Sequence, residues 1–377
     1  MILNILLALF VLNIMVIAHE LGHYLLAKKN GIGVHEFAVG FGPTLFKKKW
    51  KGTIWLLKAF PLGGYNGLKG EMEAEEGSGN FATASKKAKL QVLVAGSLMN
   101  ILLAIAAFYI ALPLYGWKVP TPIDFKPIGA VMSVVGGTYD PKYGAEHPYV
   151  TAILADSPMS KLGIAPPFSI VTVNEKVTVT PQDVITEIST AVSDTVLLKI
   201  AQGDGTLIDV TVVRNTDKKI GINMVSAPVQ LDYSTSLLHK SFSGVTHVAN
   251  MTLLTGKMLS AMFSFSVKTG DLEPLGYAFA GPVAIVAAVG TVVDNSKTIF
   301  ADLANMTGLI GVSLALFNML PFPGLDGWHI FLVLYEKVKG RKPNEKLVNI
   351  ITAIGLFFLL SLGVVIMLKD VWMFFIR

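Results

Sequence analysis

Apolar residues run almost unbroken through four parts of the chain. Residues 2–18, ILNILLALFVLNIMVIA, hold no charge, and with HELGHYLLA behind them a helix can continue to Ala27. At 1.5 Å per residue such a helix is about 39 Å long, enough to cross a membrane. Stretches of similar character occupy residues 91–115, 303–320 and 347–368. Each satisfies the length and hydropathy requirement of a spanning helix. A cleaved leader is the competing reading of residues 2–18. It is disfavoured because no basic segment opens the stretch, which is also too long, and no small-x-small site closes it. A fifth apolar stretch, 275–293, is interrupted by Gly276, Gly281-Pro282 and Gly290, which weaken a straight helix.

Between the second and third spans the pattern changes. Residues 147–180 carry short β-prone runs separated by turn residues. Pro181 then opens a short helix with apolar positions at Val184, Ile185, Ile188 and Val192. TVLLKIAQGDGTLIDVTVVR reads as strand, Gly-Asp-Gly turn and strand. Together these make a small α+β module. Its run Ala155-Asp-Ser-Pro-Met-Ser-Lys-Leu-Gly-Ile164 resembles the turn and short helix of PDZ domains, although Pro166-Pro167-Phe168-Ser169 stands where those domains usually continue with Gly-Asp. Further on, Met251, Leu254, Met258, Met262 and Phe265 lie close to helical spacing. They read either as a face packed on its own domain or as a helix lying on a membrane surface.

Charge decides the class and the orientation. Hydrophobic residues make up 52% of the 377 residues and charged residues only 15%, against roughly 25% charged in a soluble domain. There is no cysteine, which excludes disulfide frameworks and Cys-ligated metal sites. The net charge of +5 would suggest a nucleic-acid binder. Its distribution argues against one. Residues 28–89 hold eleven lysines and 336–346 hold five basic residues, together sixteen of the 31. Residues 116–302 hold 13 basic and 16 acidic residues. By the positive-inside rule, 28–89 and 336–346 face the cytosol, and 116–302 and the N-terminus lie outside. Four spans satisfy this. A fifth across 275–293 would throw 336–346 outside, so that stretch is read as interfacial or re-entrant.

The first span contains His19-Glu20-Leu21-Gly22-His23. Residues i and i+4 share a helix face, so two imidazoles can hold one metal ion while Glu20 serves as the base for a water. Three ionisable residues inside an uncharged span are costly unless ligated or paired. Such a site needs a third protein ligand. Asp326 qualifies: it follows the third span in Asn318-Met-Leu-Pro-Phe-Pro-Gly-Leu-Asp-Gly327, where two prolines end the helix. The charge-derived topology puts His19, His23 and Asp326 on the same side of the membrane. Glu20 lies eight residues before Lys28, about 12 Å at 1.5 Å per residue, so the site is inside the bilayer near the cytosolic face.

H-E-x-x-H in one span, N-x-x-P-x-P-x-L-D-G in another and a PDZ-like module between them resemble the site-2 protease family of intramembrane zinc metalloproteases. The resemblance covers essentially the whole chain and is strongest to the bacterial branch that cleaves anti-sigma factors. Gly40-Phe-Gly-Pro43 and Pro61-Leu-Gly-Gly-Tyr65 look like that family's membrane-re-entrant β-hairpin, with Asn66-Gly67 where Val-Lys often stands. Ala95-Gly-Ser-Leu-Met-Asn100 resembles its second-span motif, with Ser97 in place of proline, and Gly281-Pro282-Val283 resembles its segment before the third span.

The resemblance implies one zinc ion held by His19, His23 and Asp326, with Glu20 as catalytic base. It also implies an extended substrate along an edge that includes Gly63, Gly64 and Tyr65, and a substrate contact from Asn318. Asn318 can equally serve as helix–helix glue, and His329 reads as a support to Asp326 or as an interfacial histidine. The implied substrates are single-span membrane proteins such as anti-sigma factors, or signal-peptide remnants, in a bacterial cytoplasmic membrane. A peptide ligand at the PDZ-like module is also implied, and no nucleic acid.

The expected organisation is a four-helix membrane protein with an inserted extracytoplasmic α+β domain. It comprises helix 1 over 1–27, a cytosolic or re-entrant hairpin region over 28–89 and helix 2 over 90–115. A PDZ-like domain over 116–230 and an amphipathic interfacial segment over 231–302 follow. The chain ends with helix 3 over 303–327, a cytosolic loop over 328–346 and helix 4 over 347–372. Two rival classes fit the sequence less well. An ion transporter would need polar residues across both halves of the bilayer, whereas here they gather near one face. A catalytically dead PDZ adaptor would be expected to lack Glu20 or a ligand, and all are present.

Overall fold

The structure is a computed structural model. It describes residues 2–70, 79–121, 127–134, 147–166, 168–178, 181–202, 206–226, 229–270, 281–296 and 298–372. In chain order the elements are α1 (Ile2–Lys29), β1 (Val34–Trp50), β2 (Thr53–Leu68), α2 (Lys86–Leu114), β3 (Lys118–Thr121) and β4 (Val131–Val134). They continue with β5 (Pro148–Ile153), a 3-10 turn at Ser160–Leu162, β6 (Phe168–Val173), β7 (Lys176–Val177), α3 (Pro181–Thr190), β8 (Thr195–Gln202) and β9 (Leu207–Val213). The remainder is β10 (Ile222–Ser226), β11 (Val229–Asp232), α4 (Leu237–Thr269), α5 (Pro282–Asn295), α6 (Ile299–Asn318), α7 (Asp326–Lys339) and α8 (Glu345–Val371). The chain divides into two compact units, Met1–Leu114 with His247–Arg377, and Tyr115–Thr246.

In the first unit, α1, α2, α6 and α8 are long and apolar enough to cross a membrane. They are the four stretches expected from the sequence. α2 starts a few residues before residue 90 because Lys86-Lys-Ala-Lys are good helix formers and Ser85 Oγ accepts from Ala88 N at 3.2 Å. α2 packs against both α1 and α6. The approach is close because small residues sit at the contacts: a Cβ on Gly22 would strike the Ala95 carbonyl, and one on Gly308 would strike the Phe108 ring.

Among the described residues the fifth apolar stretch is helical from Pro282 to Asn295, 14 residues, fewer than a bilayer span needs; residues 275–280 lie outside the described residues. Pro282 starts this helix with a preset φ. Asp370, fully buried near the end of α8, accepts from Gly281 N at 2.9 Å and Ala284 N at 3.1 Å.

α6 ends at Asn318, just before the two prolines. Residues 328–346, expected as a loop, are largely helical. Asp326–Lys339 forms α7, because WHIFLVLYEKVK carries no breaker, and Gly340 ends it in the left-handed region at φ 68°.

β1 and β2 form a long antiparallel hairpin. Trp50 pairs with Thr53 across Lys51 (φ 48°) and Gly52 (φ 76°), the backbone of a two-residue type I′ turn. The hairpin base is buried. Val34, Phe37 and Leu68 pack with Tyr24 and Ala27 of α1 and Val92 of α2. Between Val39 and Phe46 the register shifts repeatedly, and Phe41, Leu45, Phe46, Leu57 and Phe60 are exposed.

The second unit holds a sheet in the order β10-β5-β6-β8-β9, with β7 beside β6, and a separate three-stranded sheet β3-β11-β4. All pairings are antiparallel. The core of the larger sheet gathers Phe168, Ile170, Leu198 and Ile200 against Val184 and Ile188 of α3. Of the other two apolar positions, Ile185 is exposed on α3 and Val192 is exposed just beyond its end. The buried Arg214 guanidinium donates to the carbonyls of Ile188 (2.6 Å), Ala191 (3.1 Å) and Ser193 (2.8 Å), satisfying orphan acceptors at the end of α3.

The Met/Phe stripe lies on α4. Met251 and Leu254 are buried whereas Phe265 is exposed, so only the first part of the stripe is a packed face.

Candidate active site

α1 presents His19 and His23 on one face, with ring centroids 4.7 Å apart and edge to face. His23 Nδ1 lies 2.7 Å from the Val92 carbonyl of α2. A carbonyl can only accept, so Nδ1 carries the proton and Nε2 is left as a lone pair. His19 Nδ1 lies 3.4 Å from the side-chain amide of Asn100, whose own Oδ1 is buried without a partner. With that amide turned over, Oδ1 would accept from His19 Nδ1–H. The two Nε2 atoms are 3.1 Å apart. Asp326, the first residue of α7, completes the group: its Oδ2 lies 3.1 Å from His19 Nε2 and 3.3 Å from His23 Nε2.

These three atoms form a possible metal-holding cluster. Asp326 Oδ2 is buried, and among the described residues the two imidazoles are the groups within reach of it, so three ligand atoms face one point. One metal cation there would satisfy all three at once. The separations of 3.1–3.3 Å match those of tetrahedral zinc ligands, roughly 3.3 Å apart for bonds of about 2.0–2.1 Å. The donor set therefore fits zinc. α2 leaves room for it at Gly96, where a Cβ would collide with both imidazoles.

Glu20, the next residue along α1, is held by β2. Asn66 Nδ2 donates to Glu20 Oε2 at 2.7 Å and to the Glu20 carbonyl at 2.6 Å. Glu20 Oε1 has no hydrogen bond among the described residues. Glu20, the two histidines and Asp326 line one cavity of about 210 Å³ with Tyr65, Asn66 and Leu93. Tyr65 is turned partly aside, its hydroxyl donating to Glu36 Oε2 at 2.9 Å. Gly64 runs close to Glu20: a Cβ there would stand 3.5 Å from Glu20 Cγ and 2.8 Å from the Ala38 carbonyl. Gly63, at φ 85°, sits against the Phe41 ring.

The structure thus brings together His19, Glu20, His23, Asp326, Gly64 and Tyr65. It does not bring in Asn318, half-buried at the end of α6 and absent from the cavity wall, nor His329, which is exposed on α7. Sequence reasoning missed the roles of Asn66 and Gly96. Asn66 had shown only as a departure from a usual Val, and Gly96 only as part of a motif.

The sequence profile of peptidase family M50 matches residues 7–362. The chain belongs to peptidase family M50, the site-2 proteases. Relatives of this M50 peptidase extend over nearly its whole length. A Clostridium acetobutylicum protein, assigned by name to the zinc metalloproteases, is 27% identical over 98% of this chain and 97% of its own. A similarly named protein of Mesorhizobium japonicum is 30% identical over 93% of this chain and 94% of its own. The regulator of sigma E protease of Haemophilus influenzae is 26% identical over 95% and 96%. This M50 peptidase is a membrane-embedded zinc metalloprotease.

Proposed function

We propose that this M50 peptidase cuts peptide bonds within or beside the spanning segments of single-span membrane proteins, with His19, His23 and Asp326 holding one zinc ion and Glu20 acting as general base. The observation that carries this reading is the convergence of His19 Nε2, His23 Nε2 and Asp326 Oδ2 within 3.3 Å beside the Glu20 carboxylate, with both histidines and Glu20 on α1, a helix of membrane-crossing length. When bound, zinc supplies a Lewis acid that makes a water acidic near neutral pH and polarises a carbonyl. Glu20 takes a proton from the attacking water and returns it to the leaving amine. Asn66 occupies Oε2, so Oε1 is the oxygen that holds the proton. Val92 and Asn100 keep each imidazole presenting Nε2 to the site.

A spanning substrate helix shields its carbonyls and must unwind before it is cut. The β1–β2 hairpin is the proposed device, re-entering the membrane through its exposed Phe41, Leu45, Phe46 and Phe60 and offering Gly63–Tyr65 as an edge for an extended strand. Asn318 is proposed to approach the substrate backbone only when substrate is bound.

Residues 116–230 are proposed to be an extracytoplasmic PDZ-like module. Support comes from the antiparallel sheet with α3 across it and from an apolar groove of about 480 Å³ lined by Ile185, Ile188, Ile222 and Met224, beside the open edge of β10. Anti-sigma factors are the proposed substrate class, suggested by the name of the Haemophilus influenzae relative. Signal-peptide remnants are the alternative within the same reaction. The site would face the cytosolic side of a bacterial cytoplasmic membrane.

The test is cleavage of a single-span anti-sigma factor in proteoliposomes, with fragment masses locating the cut. A cut in the spanning segment, absent with Glu20→Gln, is expected. A cut confined to the soluble parts of the substrate would overturn the intramembrane assignment.

A further inference from the structure

Between α7 and α8 lies a second cavity, of about 540 Å³. Its wall is aromatic and aliphatic, with Trp328, Phe331 and Tyr335 from α7 and Ile351 from α8, and Arg341 and Lys342 of the connecting turn also line it. The aromatic wall is formed in advance. Trp328 and Phe331 stack with centroids 5.7 Å apart, and Trp328 Nε1 donates to Thr352 Oγ1 of α8 at 2.9 Å.

The two cations have no carboxylate within ion-pair distance among the described residues. The nearby acid of α7, Glu336, is engaged by Lys86, whose Nζ lies 3.1 Å from its carbonyl and 3.6 Å from Oε1. Glu345, at the start of α8, is the other acid of the turn. Across residues 336–346 five basic residues stand against these two.

The cavity therefore joins an apolar wall to a cationic rim, where a basic turn meets a span. α8 leaves Ile350, Ile354 and Phe357 exposed. A free anion would use only the rim, and an uncharged hydrocarbon only the wall. A phospholipid with net negative charge uses both, and basic clusters beside a spanning helix attract anionic headgroups.

We propose that the α7–α8 cavity seats one anionic glycerophospholipid, its phosphate at Arg341 and Lys342 and an acyl chain against Trp328, Phe331 and Ile351. Because Asp326 opens α7, the seated lipid braces the helix that carries it.

The test is lipid retention by the full-length protein in native mass spectrometry, titrated separately with phosphatidylglycerol, phosphatidylcholine and inorganic phosphate. One phosphatidylglycerol is expected to remain bound in preference to phosphatidylcholine. Removing both rim cations in Arg341→Gln/Lys342→Gln weakens it roughly thirtyfold. Lys337→Gln/Lys339→Gln removes the same charge from outside the cavity and retains the lipid. Phe331→Ser leaves every charge in place and also weakens retention, because the wall contributes. The proposal is overturned by equal retention of both lipids, by unchanged affinity in Arg341→Gln/Lys342→Gln, by indifference to Phe331→Ser, or by inorganic phosphate displacing the lipid.

Discussion

Asn66 of β2 donates its side-chain amide to both the carboxylate and the main-chain carbonyl of Glu20, at 2.7 and 2.6 Å. One side chain thus ties the hairpin to the helix turn that carries the base. It occupies one carboxylate oxygen and leaves the other facing the cavity. Asn66→Leu is expected to lower the rate of substrate cleavage roughly tenfold to a hundredfold, the usual cost of losing a group that orients an active-site residue. Zinc content should be unchanged, because Asn66 touches no metal-facing atom. Parallel assays of cleavage and metal stoichiometry check this. Equal loss of zinc and activity would mean that Asn66 acts through the fold instead.

Glu20 and Asp326 are predicted to separate chemistry from metal binding. Glu20→Gln keeps the shape of the site but cannot accept a proton, so cleavage should fall by about 10²–10⁴-fold with zinc retained. Asp326→Asn removes the anionic oxygen opposite both Nε2 atoms and should lower zinc occupancy itself. Elemental analysis of the purified variants distinguishes the two effects. Full zinc in Asp326→Asn would remove this residue from the ligand set.

Gly96→Ala tests the space that α2 leaves for the imidazoles. Its Cβ would meet the rings of both His19 and His23, and the neighbouring α1–α2 contact is too tight to yield. Zinc affinity is expected to drop at least tenfold, in the range of perturbed metal surroundings. A competitive chelator titration measures it.

Chelation should abolish cleavage, and added zinc should restore it. The cation would link α1 to α7 through His19, His23 and Asp326, so metal removal should also lower the thermal unfolding midpoint. Unfolding scans with and without chelator, on wild type and Asp326→Asn, check this. The chelator-induced shift should be smaller in the variant.

Asp370→Ala tests the buried cap on α5. Two backbone N–H groups, of Gly281 and Ala284, lose their acceptor. The expected cost is about 1–3 kcal/mol of stability. Thermal unfolding in detergent reads it, and the zinc content of the folded fraction should not change.

Much of the architecture was legible along the chain because its signals are local. A span announces itself by length and polarity, and both α6 and its stop at Asn318 follow from the two prolines. The hairpin β8–β9 and the start of α3 at Pro181 are equally local. The helical nature of residues 326–339 was missed because the Lys-rich tail of α7 reads as an exposed loop until Gly340 is seen to end a helix.

By itself the sequence determined the donor types, the pairing of His19 with His23 on one helical face, and a carboxylate at Asp326 that needed a partner. These depend on covalent order and on the period of one helix. Only the tertiary structure decided that the three donor atoms converge within 3.3 Å. It alone decided that Gly96 is the space they need, that Val92 sets the tautomer of His23 and that Asn66 holds Glu20. Each of these relationships joins residues far apart in the chain. No local pattern encodes such contacts, because they exist only once α1, α2, β2 and α7 have packed.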